Sequence, residues 1–246
     1  MVSVCMATYN GERFIEEQLK SILTQIEPCD EIVISDDGST DNTIKIIKNL
    51  NDPRIKIFHH SKSKAKYRFD YTTHNFENAI LHSKGDIIML SDQDDIWLGN
   101  KYSVVVLALK EVDIVVSNCK IVDCDLNILC ESRFSQITKS NRILMNFISA
   151  SNIGCCLSFK RCVMEKVLPF PKYGVAQDYW IVVFGSLFYK FKYIDEPLIL
   201  YRRHNQTVSA TCGKSGDTLI YKIGYRLRFL FSILVRGNFF KIIKKL

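Results

Sequence analysis

Hydrophobic and polar positions along the chain fall into short blocks with two rhythms. Val2–Ala7 is a nearly continuous apolar run that empties into Thr8, Tyr9 and Asn10, as a buried strand ending in polar residues does. Past Gly11 the spacing becomes helical: Phe14, Ile15, Leu19, Ile22 and Leu23 share one face. Asn10 is placed to cap that helix, and Glu12 and Glu16 suit its positive end. Glu31–Ser35 predicts a second strand, Asp36–Asn42 a turn, Thr43–Leu50 a helix and Arg54–Phe58 a third strand. A basic, polar loop over 59–71 follows, then a helix at Asn75–Ser83 and a fourth strand at Asp86–Leu90. Strands alternating with helices in this way predict a parallel sheet covered by helices. Beyond Trp97 the rhythm loosens. A helix is expected over Lys101–Lys110, a strand over Asp113–Val122, an exposed loop over 131–140 and a strand over Gly154–Lys160 with a short helix to Leu168. An apolar helix over Gln177–Phe188 and a strand before His204, kept near an edge by Pro197, complete the pattern. No internal repeat is visible, and Ser209–Asp217 reads as a hinge before a distinct tail.

Composition narrows the class. At 246 residues and 47% hydrophobic content the chain can bury a sizeable core, as one large α/β domain or one domain with an appendage. Its nine cysteines are odd in number, sit largely in strand-like stretches and lack paired CxxC spacing, which favours free buried thiols in a reducing compartment over disulfides or zinc. The first residues begin a strand at once, without the pattern of a secretory leader, and no apolar run reaches the length of a spanning helix. The net charge of +7 is concentrated at one end: after Asp217 there is no acid but there are Lys222, Arg226, Arg228, Arg236, Lys241, Lys244 and Lys245.

The candidate chemistry lies where strands end. In open parallel sheets ligands bind beyond the C-terminal strand ends. Three polar clusters fall there: "TYN" after strand one, "DDGSTD" after strand two and "SDQDD" after strand four. Alone, "DDGSTD" is ordinary turn chemistry. A turn does not call for Asp92, Asp94 and Asp95 together after an apolar run, and carboxylates so close repel unless a cation or several donors relieve them. Together the clusters point to an acidic rim suited to a hard divalent ion, Mg²⁺ or Mn²⁺ rather than zinc, shared with a diphosphate. Sugar transfer from a nucleotide diphosphate fits: charge builds on the leaving phosphate, and a further carboxylate must take the acceptor's proton.

The ordered set "VSVCMATYNGERFIEEQLKSILTQ", "EIVISDDGSTDNT", "GDIIMLSDQDDIW", "QDYW" and "YIDEPLILYRRHNQTVS" resembles the family-2 glycosyltransferases of the GT-A fold over roughly residues 1–210. The resemblance implies a Rossmann-like, mostly parallel sheet with helices on both faces, and metal-dependent, inverting transfer without a covalent intermediate. It places Thr8, Tyr9 and Asp37 around the nucleotide with Asp36 supporting that turn, Asp92 near ribose or metal, Asp94 as the metal ligand and Asp178 as the general base. Such enzymes often carry Glu-Asp where this chain has Gln177–Asp178, so one supporting carboxylate is replaced. Asp178 could instead cap its helix. His204 stands where a histidine can reach metal or phosphate, against the commoner lone surface histidine. Lys66 and Arg68 either clamp the diphosphate or form a solvated charge run, and Trp97 and Trp180 are expected to be packing residues. The Q-x-x-R-W motif and spanning helices of processive polymerases are absent, so one or few sugars per acceptor are expected. The nearest likeness is to bacterial transferases of capsule, O-antigen and other surface polysaccharides, rhamnosyltransferases included. This implies a UDP- or dTDP-sugar donor and a lipid-linked or oligosaccharide acceptor.

Residues 211–246 form the basic amphipathic tail, in which Lys222, Arg226, Arg236, Lys241 and Lys244 share a broad helical sector. It reads as an interfacial helix on an anionic leaflet, which would place the enzyme peripherally on the cytoplasmic face of the cell membrane. A helix docked on the domain with a solvated basic face is the other reading. Nucleic acid is not an expected partner, since no recognition motif accompanies the charge. Two other functions share these features: a nucleotidyltransferase making sugar nucleotides, for which "TYNGER" is a poor glycine-rich loop, and an inactive nucleotide-binding scaffold, against which Asp92, Asp94 and Asp178 argue.

Overall fold

The computed structural model describes residues 1–61, 66, 67, 69–136, 147, 153–204 and 218–236. The chain alternates β1 (Val2–Thr8), α1 (Ile15–Leu23), β2 (Glu31–Asp36), α2 (Thr43–Asn49), β3 (Ile55–His59), α3 (Asp70–His82) and β4 (Ile87–Asp92). These follow the apolar blocks closely. β1, β2 and β4 are buried on both faces, which is why their runs are almost unbroken by polar residues. The later elements are β5 (Ile96–Trp97), α4 (Lys101–Ala108), β6 (Ile114–Val122), β7 (Ile128–Cys130), β8 (Leu157–Lys160), α5 (Arg161–Val167), α6 (Gln177–Gly185), β9 (Phe191–Arg202) and α7 (Leu219–Val235).

One sheet runs β3-β2-β1-β4-β8-β6-β9-β5, with β7 paired to β6. β1 to β4 are parallel, and β6 and β9 form a second parallel pair. β8 is inserted antiparallel between β4 and β6. The register sets Thr8 beside Asp36 and Ala7 beside Asp92, so the C-terminal ends of β1, β2 and β4 meet at one rim. β9 is bordered on its outer side only by the two-residue β5, consistent with its Pro197. Two apolar clusters cover the faces. One holds Ile15, Leu19 and Ile22 against Val4, Met6 and Ile34; the other holds Phe76 and Ile80 with Trp180, Phe184 and Phe229.

Three expectations change. Asn10 does not cap α1: it adopts φ 48°, its side-chain carbonyl accepts the Thr40 N–H, and the helix begins only at Ile15 after a turn closed by the Gly11 carbonyl. α3 starts at Asp70, earlier than its apolar face, because the Asp70 carboxylate accepts the N–H groups of Lys66 and Tyr67 and closes the preceding turn. Gly154–Cys156 forms a 3-10 turn, so β8 is shorter than the apolar run before it. Arg68, most of 137–152 and the hinge at 209–217 lie outside the described residues. The described cysteines are free, and Cys5, Cys119, Cys155 and Cys156 are buried.

The tail helix α7 docks on α6. Phe229 and Ile233 are buried, and Phe229 meets Phe147, Tyr179 and Trp180 at ring-centre distances of 5.6, 5.1 and 5.3 Å. Arg236 donates to the Lys166 and Pro169 carbonyls and lies over Trp180. Over 218–236 the tail is docked on the domain, while Lys241, Lys244 and Lys245 lie outside the described residues. Arg236 turns inward, and the outward face is apolar. No described helix is long and apolar enough to cross a membrane.

Candidate active site

The nucleotide side of the rim is built on the turn after β2. Asp36 is almost fully buried, and its carboxylate accepts from the Gly38 and Ser39 N–H groups, the Ser39 hydroxyl and the Thr8 hydroxyl. Gly38, at φ 77°, supplies the left-handed residue that this turn needs. Asp36 is thereby a structural acid, and Thr8 ties it to β1. Asp37 is also buried, with Oδ1 at 2.6 Å from His60 Nδ1. Tyr9 stands out, 45% exposed, in reach of a flat ligand. Its backbone is held by Gln93 in both directions: Tyr9 N–H donates to Oε1 at 2.9 Å and Nε2 donates to the Tyr9 carbonyl at 3.0 Å. A Cβ at Gly11 would collide with the Gln93 carboxamide, so a glycine is needed for this closure. Gln93 bridges the first and third polar clusters, a role hidden in the sequence behind its acidic neighbours.

The acids after β4 separate into three environments. Asp94 Oδ2 lies 2.6 Å from His204 Nε2, 110 residues on, and the imidazole packs on Phe14 at 5.1 Å. Asp95 is buried beneath the rim. Its Oδ1 accepts the Arg202 N–H at 3.0 Å, while Oδ2 has no hydrogen-bond partner among the described residues. Asp92, the last residue of β4, is half-buried. Burial first, then the charges of Asp94 and Asp178, push Asp92 up to about 8. Asp95 is raised well above the usual carboxylate range, by burial and then by Asp94 and Asp92. Below them Lys101 is fully buried, donating to the Cys155 carbonyl at 3.0 Å, with its ammonium 4.2 Å from the Trp97 ring centre. Burial lowers its pKa, against the opposing fields of Asp95 and Asp92. Lys101 was not singled out in sequence, where it reads as the solvated start of a helix.

Among the described residues one group brings three metal-ligating side chains close together. Asp92, Asp95 and Cys155 offer ligand atoms within 4.8 Å of one another, but this set is closed off by burial and faces the Lys101 ammonium. Asp94 and His204 pair on the rim, but with Asp92 they do not gather three ligand atoms within 4.8 Å of one another. Their hard oxygen and imidazole donors fit a divalent ion such as Mn²⁺ or Mg²⁺, and their mutual repulsion favours one. A cavity of about 660 Å³ opens beside the Asp94–His204 pair, walled by Arg13, Gln93 and Arg203.

Asp178 occupies the first turn of α6 without being its cap: Ala176 holds the cap position and Asp178 Oδ1 accepts the adjacent Tyr179 N–H at 2.7 Å. Burial raises its pKa to about 6 despite that hydrogen bond. Its charge contributes to the rise at Asp92, so the two acids share one electrostatic site. Gln177 is buried, accepting the Thr73 hydroxyl at 2.9 Å. A neutral amide spares this corner a third repelling charge, which accounts for glutamine in place of the expected glutamate. Tyr225 of α7 reaches the same turn, its hydroxyl accepting the Ala176 N–H at 2.9 Å. Trp97 and Trp180 are core residues, as expected. Lys66 is present at the edge, with its ammonium over the Tyr67 ring.

If Asp178 must be ionised to accept a proton, kcat/KM for transfer should fall about tenfold per pH unit below about 6. A pH–rate profile at saturating cation checks this, and a flat profile down to pH 5 would exclude Asp178 as the base.

A family model described as glycosyl transferase family 2 matches residues 3–168. A dTDP-rhamnosyl transferase of Shigella flexneri, RfbG, is 34% identical over 83% of this chain and 74% of its own. A GalNAc(5)-diNAcBac-PP-undecaprenol β-1,3-glucosyltransferase of Campylobacter jejuni is 28% identical over 91% of this chain and 71% of its own. Among solved structures, S. aureus TarS 1–349 in complex with UDP-GlcNAc superposes with a TM-score of 0.67 at 17% identity, over 95% of this chain and 72% of that one. The last likeness speaks to the fold.

Proposed function

The chain belongs to glycosyl transferase family 2, and from that premise we propose that it transfers a sugar, with inversion and dependence on a divalent cation, from a UDP- or dTDP-sugar to a lipid-linked or oligosaccharide acceptor in bacterial surface-polysaccharide synthesis. The observation that supports this reading is the gathering of acids at the strand ends, with Asp178 near enough to Asp92 for its charge to act there. Asp94 pairs with His204, and burial raises Asp178 to about 6. Inverting displacement needs charge neutralised at the leaving phosphate and a base for the acceptor hydroxyl.

The residues divide the work. Tyr9 offers an exposed ring on which the base stacks, and Asp37 an acceptor for the imide N–H that uracil and thymine share. Asp36 keeps the turn in place through four accepted hydrogen bonds. Asp94, Asp92 and His204 would hold the cation, which would supply positive charge for the leaving diphosphate. Asp178 takes the acceptor proton. The buried Lys101 offsets part of the negative charge that Asp92 and Asp95 concentrate beneath the rim. Lys66 is a diphosphate contact from the neighbouring loop in this reading.

The dTDP-rhamnosyl and undecaprenol-linked relatives favour dTDP- or UDP-sugars, rhamnose and glucose among them, and a polyprenyl diphosphate acceptor. A hydrolysis panel of UDP-, dTDP- and GDP-sugars, with and without Mn²⁺, tests this. Hydrolysis of a UDP- or dTDP-sugar that needs Mn²⁺ is expected. Equal turnover in a chelator would remove the cation from the mechanism, and turnover of nucleoside triphosphate plus sugar phosphate would favour a nucleotidyltransferase.

A further inference from the structure

Helix α7 has two unlike faces. The inner one carries Tyr225, Phe229 and Ile233 and grips the turn before Asp178 through the Tyr225–Ala176 hydrogen bond. The outer one is a continuous apolar strip: Ile220, Ile223, Leu227, Leu230, Phe231 and Leu234 are all exposed, Ile220 to 83% and Leu227 to 60%. Single exposed aliphatics are ordinary, but a strip running the length of a 17-residue helix is a surface that something covers.

Its occupant follows from the charge around it. Lys222 and Arg226, one turn apart, are half-buried on the side nearer the inner face, where Arg226 donates to the Lys222 carbonyl. The sequence continues through 237–246 with Phe239, Phe240, Ile242 and Ile243 among Lys241, Lys244 and Lys245, and no acid follows Asp217. An apolar strip, a basic continuation of the chain and no anionic residue describe a surface complementary to an anionic lipid leaflet. A helix of 17 residues is about 25 Å long. It lies along such a surface and does not cross it.

We propose that the outer face of α7 seats the enzyme in an anionic leaflet, so that the turn bearing Asp178 is presented one helix away from the bilayer. This deepens the reading above: it states where a lipid-linked acceptor meets the base, and it rests on that reading only for the acceptor, not for the binding. The membrane-facing side is thus the apolar one, and the inward Arg236 takes no part.

The test is flotation of the full chain with phosphatidylcholine vesicles, with and without phosphatidylglycerol, beside the variant Ile223→Glu/Leu227→Glu. Both positions point away from the core, so the variant should keep its thermal transition and its nucleotide-sugar hydrolysis. The full chain should bind phosphatidylglycerol vesicles, more weakly at high salt, and the double variant should bind at least about tenfold less. Equal vesicle binding by the variant would overturn the proposal. So would a full chain that ignores lipid but is dimeric and becomes monomeric in the variant, since a second copy would then cover the strip. Vesicle binding as expected in a protein that hydrolyses no nucleotide sugar would leave the membrane face standing and remove the transferase mechanism instead.

Discussion

Asp178→Asn should lower transfer by about 10³-fold while leaving donor binding within about twofold of the parent chain. The rate figure is the usual range for loss of a positioned base, about 10² to 10⁴. Donor binding should survive because the Asp178 carboxylate bonds within its own turn and supports neither the Asp36 turn nor the Tyr9 backbone. The same variant should be more stable than the parent at pH 7.5, and the sign follows from linkage. In the folded chain Asp178 titrates near 6, above its ordinary 3.8. The folded state therefore holds the proton more tightly than the unfolded one. Stability derived from this group is fully present below about 3.8, is lost as pH rises toward 6, and stays lost above. A neutral amide avoids that cost, worth about 1–3 kcal/mol, the upper end being the full shift at 1.36 kcal/mol per unit. Thermal melts of both proteins at pH 7.5 and pH 4 check it: the gap between them should shrink at the lower pH. Lost transfer with lost stability would instead describe a structural residue.

The strand ends at which this chemistry sits were readable from pattern because β1, β2 and β4 are buried on both faces. Their apolar runs stop abruptly where the sheet meets solvent, and that stop locates Thr8, Asp36 and Asp92. What pattern could not supply was pairing over distance. Asp94 and His204 are 110 residues apart, and only the placement of β9 beside β5 brings the end of one run to the other. Lys101 drew no attention in sequence for a related reason. A lysine at the head of a helix normally reaches water, and only the neighbouring β4 acids and the Cys155 carbonyl make full burial tolerable. Asn10 was misread because an Asn before a helical run suits both a cap and a left-handed turn, and the Thr40 N–H decided for the turn. In the described part of the tail, counting cations on a helical wheel did not reveal which face would pack. Packing of Tyr225 and Phe229 against Tyr179 and Trp180 chose the inner face, and the remaining aliphatics were left outside.

Asp94→Ala should remove the cation-dependent part of donor binding and lower transfer by about 10²-fold or more. The carboxylate is one half of the Asp94–His204 pair, and its loss leaves the imidazole and Asp92 to hold a divalent ion. Asp92 is a poor substitute. Burial has already pushed it up to about 8, so at pH 7 much of it is protonated, and a cation must displace that proton to be held there. The variant loses one charge from a crowded rim, so Asp92 should itself titrate lower once Asp94 no longer repels it. That relief restores part of the anionic character but not the second ligand, so affinity should recover only at high cation concentration and higher pH. Calorimetry with UDP and dTDP, titrated against Mn²⁺, separates the effects. In the parent chain Mn²⁺ should tighten nucleotide binding, whereas in the variant the nucleotide should bind with the same weak affinity whether or not Mn²⁺ is present. Tyr9 and the Asp36 turn are untouched by the substitution, and they account for the residue of affinity that remains. Undiminished Mn²⁺ enhancement in the variant would transfer the cation to the buried Asp92–Asp95–Cys155 set, which Cys155→Ser would then be expected to weaken.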